Sequence, residues 1–190
     1  MLIVEGPDGS GKTTLVGRLE QKLKVTREPR AVSKEATVLT DMAIWTHHEL
    51  DRGFGNRLYD RFNLISSPFY SMLPAPTFSG KMLEPEWLRD AWQKFRQVGP
   101  MVIICLPPKD VVIENVFKGE DNQVVKKDIG TIWNLYHNFA AQYPFASMVW
   151  DYTRKDEGAE AELELILRNF KDRCSRVEWL ELQNRQGKGK

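Results

Sequence analysis

An α/β fold, with a parallel sheet of five strands covered by helices on both faces, is predicted by three features of this sequence. Apolar runs of strand length alternate with segments whose apolar residues recur at helical spacing, the order that a parallel sheet with crossover helices requires. The first strand-to-helix junction is a glycine-rich turn. No internal repeat or linker interrupts the alternation, and 190 residues with 42% hydrophobic content can bury one sizeable core. A single domain over residues 1–183 is therefore expected, followed by a disordered tail at 184–190.

Leu2-Ile3-Val4 is the first strand, and Leu15, Leu19 and Leu23 mark the helix after the turn. Lys24 to Pro29 is a short β-prone piece stopped by a proline and is read as the second strand. Ser33 to about Leu50 has helical spacing, with Ala36, Leu39, Ala43 and Trp45 among its apolar positions, until Gly53-Phe54-Gly55 breaks it. Leu58-Tyr59 opens a third strand that ends in Asp60-Arg61-Phe62, where open α/β sheets place ligand contacts. Residues 63–83, rich in serine and proline, read as an irregular substrate loop. Glu84 to about Gln97 is a helix on the stripe Trp87, Leu88, Ala91, Trp92 and Phe95. Met101 to Leu106 is a continuous apolar strand of the kind buried on both faces. A short helix from about Asp110 to Phe117 leads into a polar turn, and residues 117–128 are read as a lid. Ile129, Ile132, Leu135, Tyr136 and Phe139 mark the next helix, Ser147 to Trp150 the fifth strand, and Leu163, Ile166, Leu167 and Phe170 the last helix.

Lys and Arg total 27 against 26 for Asp and Glu, so the net charge of +1 gives no global electrostatic case for a nucleic-acid partner; only a local basic groove would serve one. Cys105, inside an apolar run, and Cys174 read as buried or incidental thiols in a reducing compartment. Met1 leads straight into a strand, and no apolar stretch approaches the roughly 20 residues that span a bilayer. A cytoplasmic protein with no membrane partner is expected. His47 and His48 have no Cys or further His at metal-ligand spacing, so no metal site is expected there.

The glycine-rich turn reads Gly6-Pro7-Asp8-Gly9-Ser10-Gly11-Lys12-Thr13, followed by Thr14, and fits G-x-x-x-x-G-K-[ST] between a strand and a helix. At that spacing successive backbone N–H groups curl round a phosphate on the helix N-terminus. The Lys12 ammonium and the helix dipole favour its charge, and the Thr13 hydroxyl is placed to ligate Mg2+ bridging the last two phosphates. This is the P-loop NTPase fold, with ATP as the expected ligand and Mg2+ as its cofactor. Further residues point to phosphoryl transfer. Asp8, beside the γ-phosphate position, could orient an acceptor hydroxyl; Asp60 could hold Mg2+ or accept the acceptor's proton, and Arg61 could stabilise charge on the transferred group. Trp45, Phe62, Phe69 and Tyr70 supply flat faces of the kind base stacking needs. Each has a structural alternative: an ion pair for Asp60-Arg61, a surface pair for Arg27-Glu28, and core packing for the aromatics.

EGPDGSGKTT at Glu5 to Thr14, TREP at Thr26 to Pro29, and YDRF followed by Ser66, Ser67 and Tyr70 together resemble the thymidylate kinase family, in the family's order. Tyr136, Pro144 and Asp151 fit its weaker tail, so the resemblance spans roughly residues 1–155. It implies five parallel strands, ATP as donor, Mg2+, a thymine-bearing acceptor and commonly a homodimer. By position it implies Lys12 and Arg61 on phosphates, Asp60 near the metal and acceptor, Asp8 toward the acceptor sugar, and Glu28, with Arg27 beside it, near the transferred phosphate. The family's arginine in the helix before the Asp-Arg strand is absent from Met42 to His48. Between Arg96 and Arg154 there is no arginine, and the lid cations are Lys118, Lys126 and Lys127, which lack the bidentate fork. In these departures the chain is similar to bacteriophage kinases, themselves like thymidylate kinases, that phosphorylate the hydroxymethyl group of 5-hydroxymethyluridine within DNA. That likeness implies modified DNA as partner, its base flipped into the site in the host cytoplasm. Two acceptors follow, the modified base in DNA first and free thymidylate (dTMP, giving dTDP) second; a slowly hydrolysing regulatory NTPase is the third reading.

Overall fold

The computed structural model describes residues 1–29, 38–71, 85–119, 123–142, 146–154 and 156–187. Along the chain these form β1 (Leu2–Glu5), α1 (Lys12–Leu23), α2 (Val38–Asp51), β2 (Leu58–Asp60), α3 (Asn63–Ser71) and α4 (Pro85–Val98), then β3 (Met101–Cys105), α5 (Lys109–Lys118), α6 (Gln123–Gln142), β4 (Ala146–Trp150) and α7 (Glu157–Gly187).

The four strands form one parallel sheet in the order β2-β1-β3-β4. Leu2, Ile3 and Val4 have no exposed surface, as expected of a central strand with helices on both faces. The chain leaves β1 for β2 on one side and later returns to β3 on the other, so a crevice opens at the carboxyl ends of β1 and β3. The glycine-rich turn starts in that crevice. Gly6 lies so close to β3 that a Cβ there would stand 2.4 Å from the Cys105 carbonyl oxygen.

Among the described residues the sheet has four strands, not the predicted five. The piece from Lys24 to Pro29 makes a single parallel bridge, Arg27 to Leu58, backed by the Glu28 N–H donating to the Leu58 carbonyl at 2.8 Å. Lys24 is spent as the left-handed C-cap of α1 (φ 54), and Pro29 has no N–H to extend a ladder. The expected substrate loop is also corrected in part: residues 63–71 are helix α3 despite Pro68 within it. Leu64 and Ile65 are fully buried, and that packing outweighs the loop-like composition of Ser66, Ser67 and Pro68. Residues 72–83 of that loop, 33–37 of the predicted helix before β2, and 120–122 of the lid lie outside the described residues. The rest of the lid is the end of α5 and the start of α6. Helix α7 runs to Gly187, through most of the expected tail. No helix among the described residues is long and apolar enough to cross a membrane.

Candidate active site

Helix α1 begins at Lys12 with Gly11 as a left-handed N-cap (φ 80); no side chain caps it and no acidic residue sits in its first turn. Its free N–H groups and dipole therefore point unanswered at the turn, the arrangement that suits an anion. Gly9 also has positive φ (+74), and a Cβ there would stand 2.8 Å from Val116 Cγ2 and 2.9 Å from the Val112 carbonyl oxygen, so the close approach to α5 requires glycine. Above the turn lies a cavity of about 520 Å3, lined by the loop from Asp8 to Thr14 and, across from it, by Asp60 and Arg61. Ser10 is fully buried and its Oγ has no hydrogen-bond partner, an orphan polar atom within the cradle of the glycine-rich turn. Lys12 is buried too, its Nζ donating to the Pro7 carbonyl. Burial, aided by nearby Arg61, pulls its ammonium down to about 8.

Arg61 faces the cradle from the end of β2. Its backbone is left-handed (φ 70), uncommon for a side chain of this size, and its N–H donates to the Val4 carbonyl at 2.9 Å. The guanidinium, 7% exposed, pairs with Asp8 and lies 4.8 Å over the Tyr70 ring. Tyr70 donates its hydroxyl to the other Asp8 oxygen at 2.8 Å. Burial works to raise the Asp8 carboxyl, but Arg61, Lys12 and Tyr70 outweigh it and hold it below the usual range. Asp60, next to Arg61, has a looser partner: Arg27 Nη1 at 3.4 Å from Oδ2. Glu28 Oε1 accepts from Arg52 Nη2 at 3.2 Å. Thr13 and Asp60 line the same cavity, and a hydroxyl plus a carboxylate are hard oxygen donors that fit Mg2+ when phosphate oxygens and water complete its shell. Among the described residues no cluster of three or more His, Cys, Asp or Glu could hold a metal without such help.

The predicted stacking aromatics separate. Phe62 has no exposed surface and packs on Trp45 and Tyr59, both 5.5 Å away, and on Phe95. It is a core residue and offers no stacking face. Phe69 sits edge-on to Tyr136 at 4.9 Å and to Phe139 at 5.7 Å, and Trp45 is partly buried. Only Tyr70 touches the charged centre. The lid lysines stand away from the cavity: Lys118 pairs with Glu114, Lys126 donates to the Gly119 carbonyl at 3.0 Å, and Lys127 is exposed.

Two residues of the site, Asn115 and Arg18, carried no recognised signal in the sequence. Asn115 of α5 donates both to the Gly9 carbonyl (2.9 Å) and to the Tyr152 hydroxyl (2.7 Å), tying the loop to the turn after β4. Arg18 lies 5.4 Å over Trp150 and is chelated by Glu160 at 2.9 and 2.7 Å. All but Glu160 line the cavity. Glu5, fully buried beneath the loop, is the other omission; a charge closing an otherwise apolar strand is the signal that could have found it.

No protein-family model matches the sequence, and no curated protein matches it. Solved structures do. Over 90% of its length the chain is similar to the YorR protein from Bacillus subtilis in complex with phosphorylated GDP, with a TM-score of 0.61 at 20% identity over 97% of that chain. It is also similar to deoxyadenosine kinase from M. mycoides with bound dCTP (TM-score 0.56, 17% identity, all of that chain) and with bound dATP (TM-score 0.53, 15% identity, 98% of that chain). At these identities the likeness is one of fold: an α/β, P-loop kinase-like fold built on a parallel sheet.

Proposed function

We propose that the chain is a Mg2+- and ATP-dependent phosphotransferase that passes the γ-phosphoryl group to a hydroxyl of a thymine-type deoxynucleotide, foremost the hydroxymethyl group of 5-hydroxymethyluridine in DNA. The kinase half is supported by the P-loop facing Asp60 and Arg61 across one cavity, and by likeness to a deoxyadenosine kinase. One observation carries the choice of a hydroxyl acceptor. With Arg61 assigned to the transferred group, every other arginine from residue 27 to 61 whose side chain is described already meets a carboxylate: Arg27 with Glu20 and Asp60, Arg52 with Glu28 and Glu49, and Arg57 with Glu49. Thymidylate would bring a 5′-phosphate dianion, which calls for an uncommitted bidentate cation; a hydroxymethyl group does not.

In the transfer, the acceptor oxygen attacks Pγ in line, the bond from Pγ to the bridging oxygen breaks, and ADP departs with that electron pair. The hydroxyl proton passes to one of the two carboxylates that line the cavity, Asp60 or Asp8. Lys12 and the loop N–H groups hold the donor phosphates, and Arg61 meets the charge on the transferred group. Thr13 and Asp60 would hold Mg2+, which neutralises phosphate charge when bound. Labelled γ-phosphate from ATP is offered in parallel to duplex DNA containing 5-hydroxymethyluridine, to thymine DNA and to thymidine monophosphate. Label in the modified DNA alone is the expected result. Label in thymidine diphosphate makes the chain a nucleotide kinase, and ATP turnover indifferent to every acceptor makes it a regulatory NTPase.

A further inference from the structure

Glu5 is the last residue of β1, has no exposed surface, and uses both carboxyl oxygens: Oε1 accepts from the Phe62 N–H at 2.6 Å and Oε2 from the Tyr136 hydroxyl at 2.8 Å. Its place is what gives these bonds meaning. Phe62 immediately follows Arg61, the non-glycine residue held at φ 70, and the N–H on the other side of that bend is tied to Val4, the residue before Glu5. A left-handed backbone at an arginine is strained and persists only where its surroundings over-determine it. Here two successive N–H groups, those of Arg61 and Phe62, are both captured by the end of β1. Burial lifts the Glu5 carboxyl above its ordinary range, against the opposing pull of the Phe62 N–H, Arg61, Tyr136 and Lys12.

We infer that Glu5 is a positioning residue: by holding the Phe62 N–H it keeps Arg61 in the left-handed bend that aims the guanidinium at Asp8 across the phosphate loop, and by holding Tyr136 it ties that aim to α6. Nothing in its burial lets Glu5 meet a substrate, so it acts through Arg61. The catalytic consequence rests on the reading above, in which Arg61 meets the transferred phosphoryl group; the geometric claim does not.

Glutamine is the informative variant. Its amide oxygen can accept from Phe62 while its amide nitrogen donates to the Tyr136 oxygen, so Glu5→Gln keeps both links, whereas Glu5→Ala removes them. The test combines amide hydrogen exchange at Phe62 with ATP turnover on duplex DNA containing 5-hydroxymethyluridine, for Glu5→Ala, Glu5→Gln, Arg61→Ala and the Glu5→Ala/Arg61→Ala pair. In Glu5→Ala, Phe62 is expected to exchange about tenfold faster or more while the β3 amides keep their protection. Turnover should fall to the level of Arg61→Ala, with the double variant no lower, and Glu5→Gln should restore both readouts. Unchanged Phe62 protection in Glu5→Ala, losses that multiply in the double variant, or a Glu5→Gln variant as poor as Arg61→Ala each overturn the inference. Should Glu5→Ala not fold, the Glu5→Gln comparison decides. Wild-type turnover in Arg61→Ala, or none in the unaltered protein, contradicts the proposed function instead and leaves the exchange result to judge Glu5.

Discussion

The two walls of the cavity are built by different means. The wall that the proposed function gives to the phosphoryl donor is one contiguous stretch, Asp8 to Thr14, whose shape follows from left-handed glycines and an uncapped helix start. The opposite wall, Asp60 and Arg61 at the end of β2, is braced by Tyr70 of α3 and by buried polar groups behind it. The first is local chemistry and the second is tertiary packing. A change in the donor wall should therefore cost function and spare the fold, and a change behind the opposite wall should cost the fold first.

Lys12→Ala is the sharpest test of that division. Turnover should fall by about a thousandfold or more, while the thermal transition stays in place, because the lysine's main native partner is a carbonyl it can surrender. Simultaneous loss of the transition would erase the contrast. On the other side, Glu49→Ala removes the carboxylate that meets Arg57 at 2.9 Å and takes the Tyr59 hydroxyl bond, stranding a guanidinium whose side chain is only 8% exposed. Unfolding in urea should show a loss of about 3 kcal/mol. A loss near zero would mean that the brace behind β2 is not structural.

A smaller effect sharpens the donor wall. With Lys12 lowered to about 8 in the free protein, its cationic form is present below that pH and disappears above it. ATP kcat/KM should then decline as pH rises through about 8, to about a tenth at pH 9. A profile flat to higher pH would show that the ammonium is not needed for capture. The bend at Arg61 gives a fourth comparison: Arg61→Gly, free to adopt φ 70, should be more stable than Arg61→Ala by about 1 kcal/mol in the same urea assay. Smallest of all, Glu160→Ala breaks an exposed pair with Arg18 and should change stability by less than about 1 kcal/mol, its trace confined to the KM for ATP.

The same division explains what could be read from the chain alone. The glycine-rich loop is legible because its spacing, its preceding strand and its following helix are all local. The alternation of elements is legible because burial imposes period on the sequence. Asp60 and Arg61 are legible as a polar pair closing a strand. What Glu5 binds is not, because its two donors lie 57 and 131 residues further along the chain and only the folded sheet brings them together. Asn115 escapes for the same reason: its bond to Gly9 spans 106 residues. Phe62 misleads in the other direction, since an aromatic beside a charged pair reads equally as a stacking face or as core, and packing decided for core. Likewise the serines and Pro68 of α3 spoke for a loop until Leu64 and Ile65 were buried, and the predicted second strand failed at Pro29, whose missing donor was visible but whose pairing was not.

The central claim is that the donor cradle faces an acceptor that offers a hydroxyl and not a phosphate. Phosphorus NMR of the reaction of Mg2+-ATP with a mixture of thymidine monophosphate and 5-hydroxymethyluridine DNA reads the answer from the bond that forms. ADP growing together with a new phosphomonoester signal, and no new diphosphate besides ADP, is the result the account predicts. A second diphosphate appearing at the expense of thymidine monophosphate would contradict it, and would mean that one of the paired arginines leaves its carboxylate to hold the acceptor.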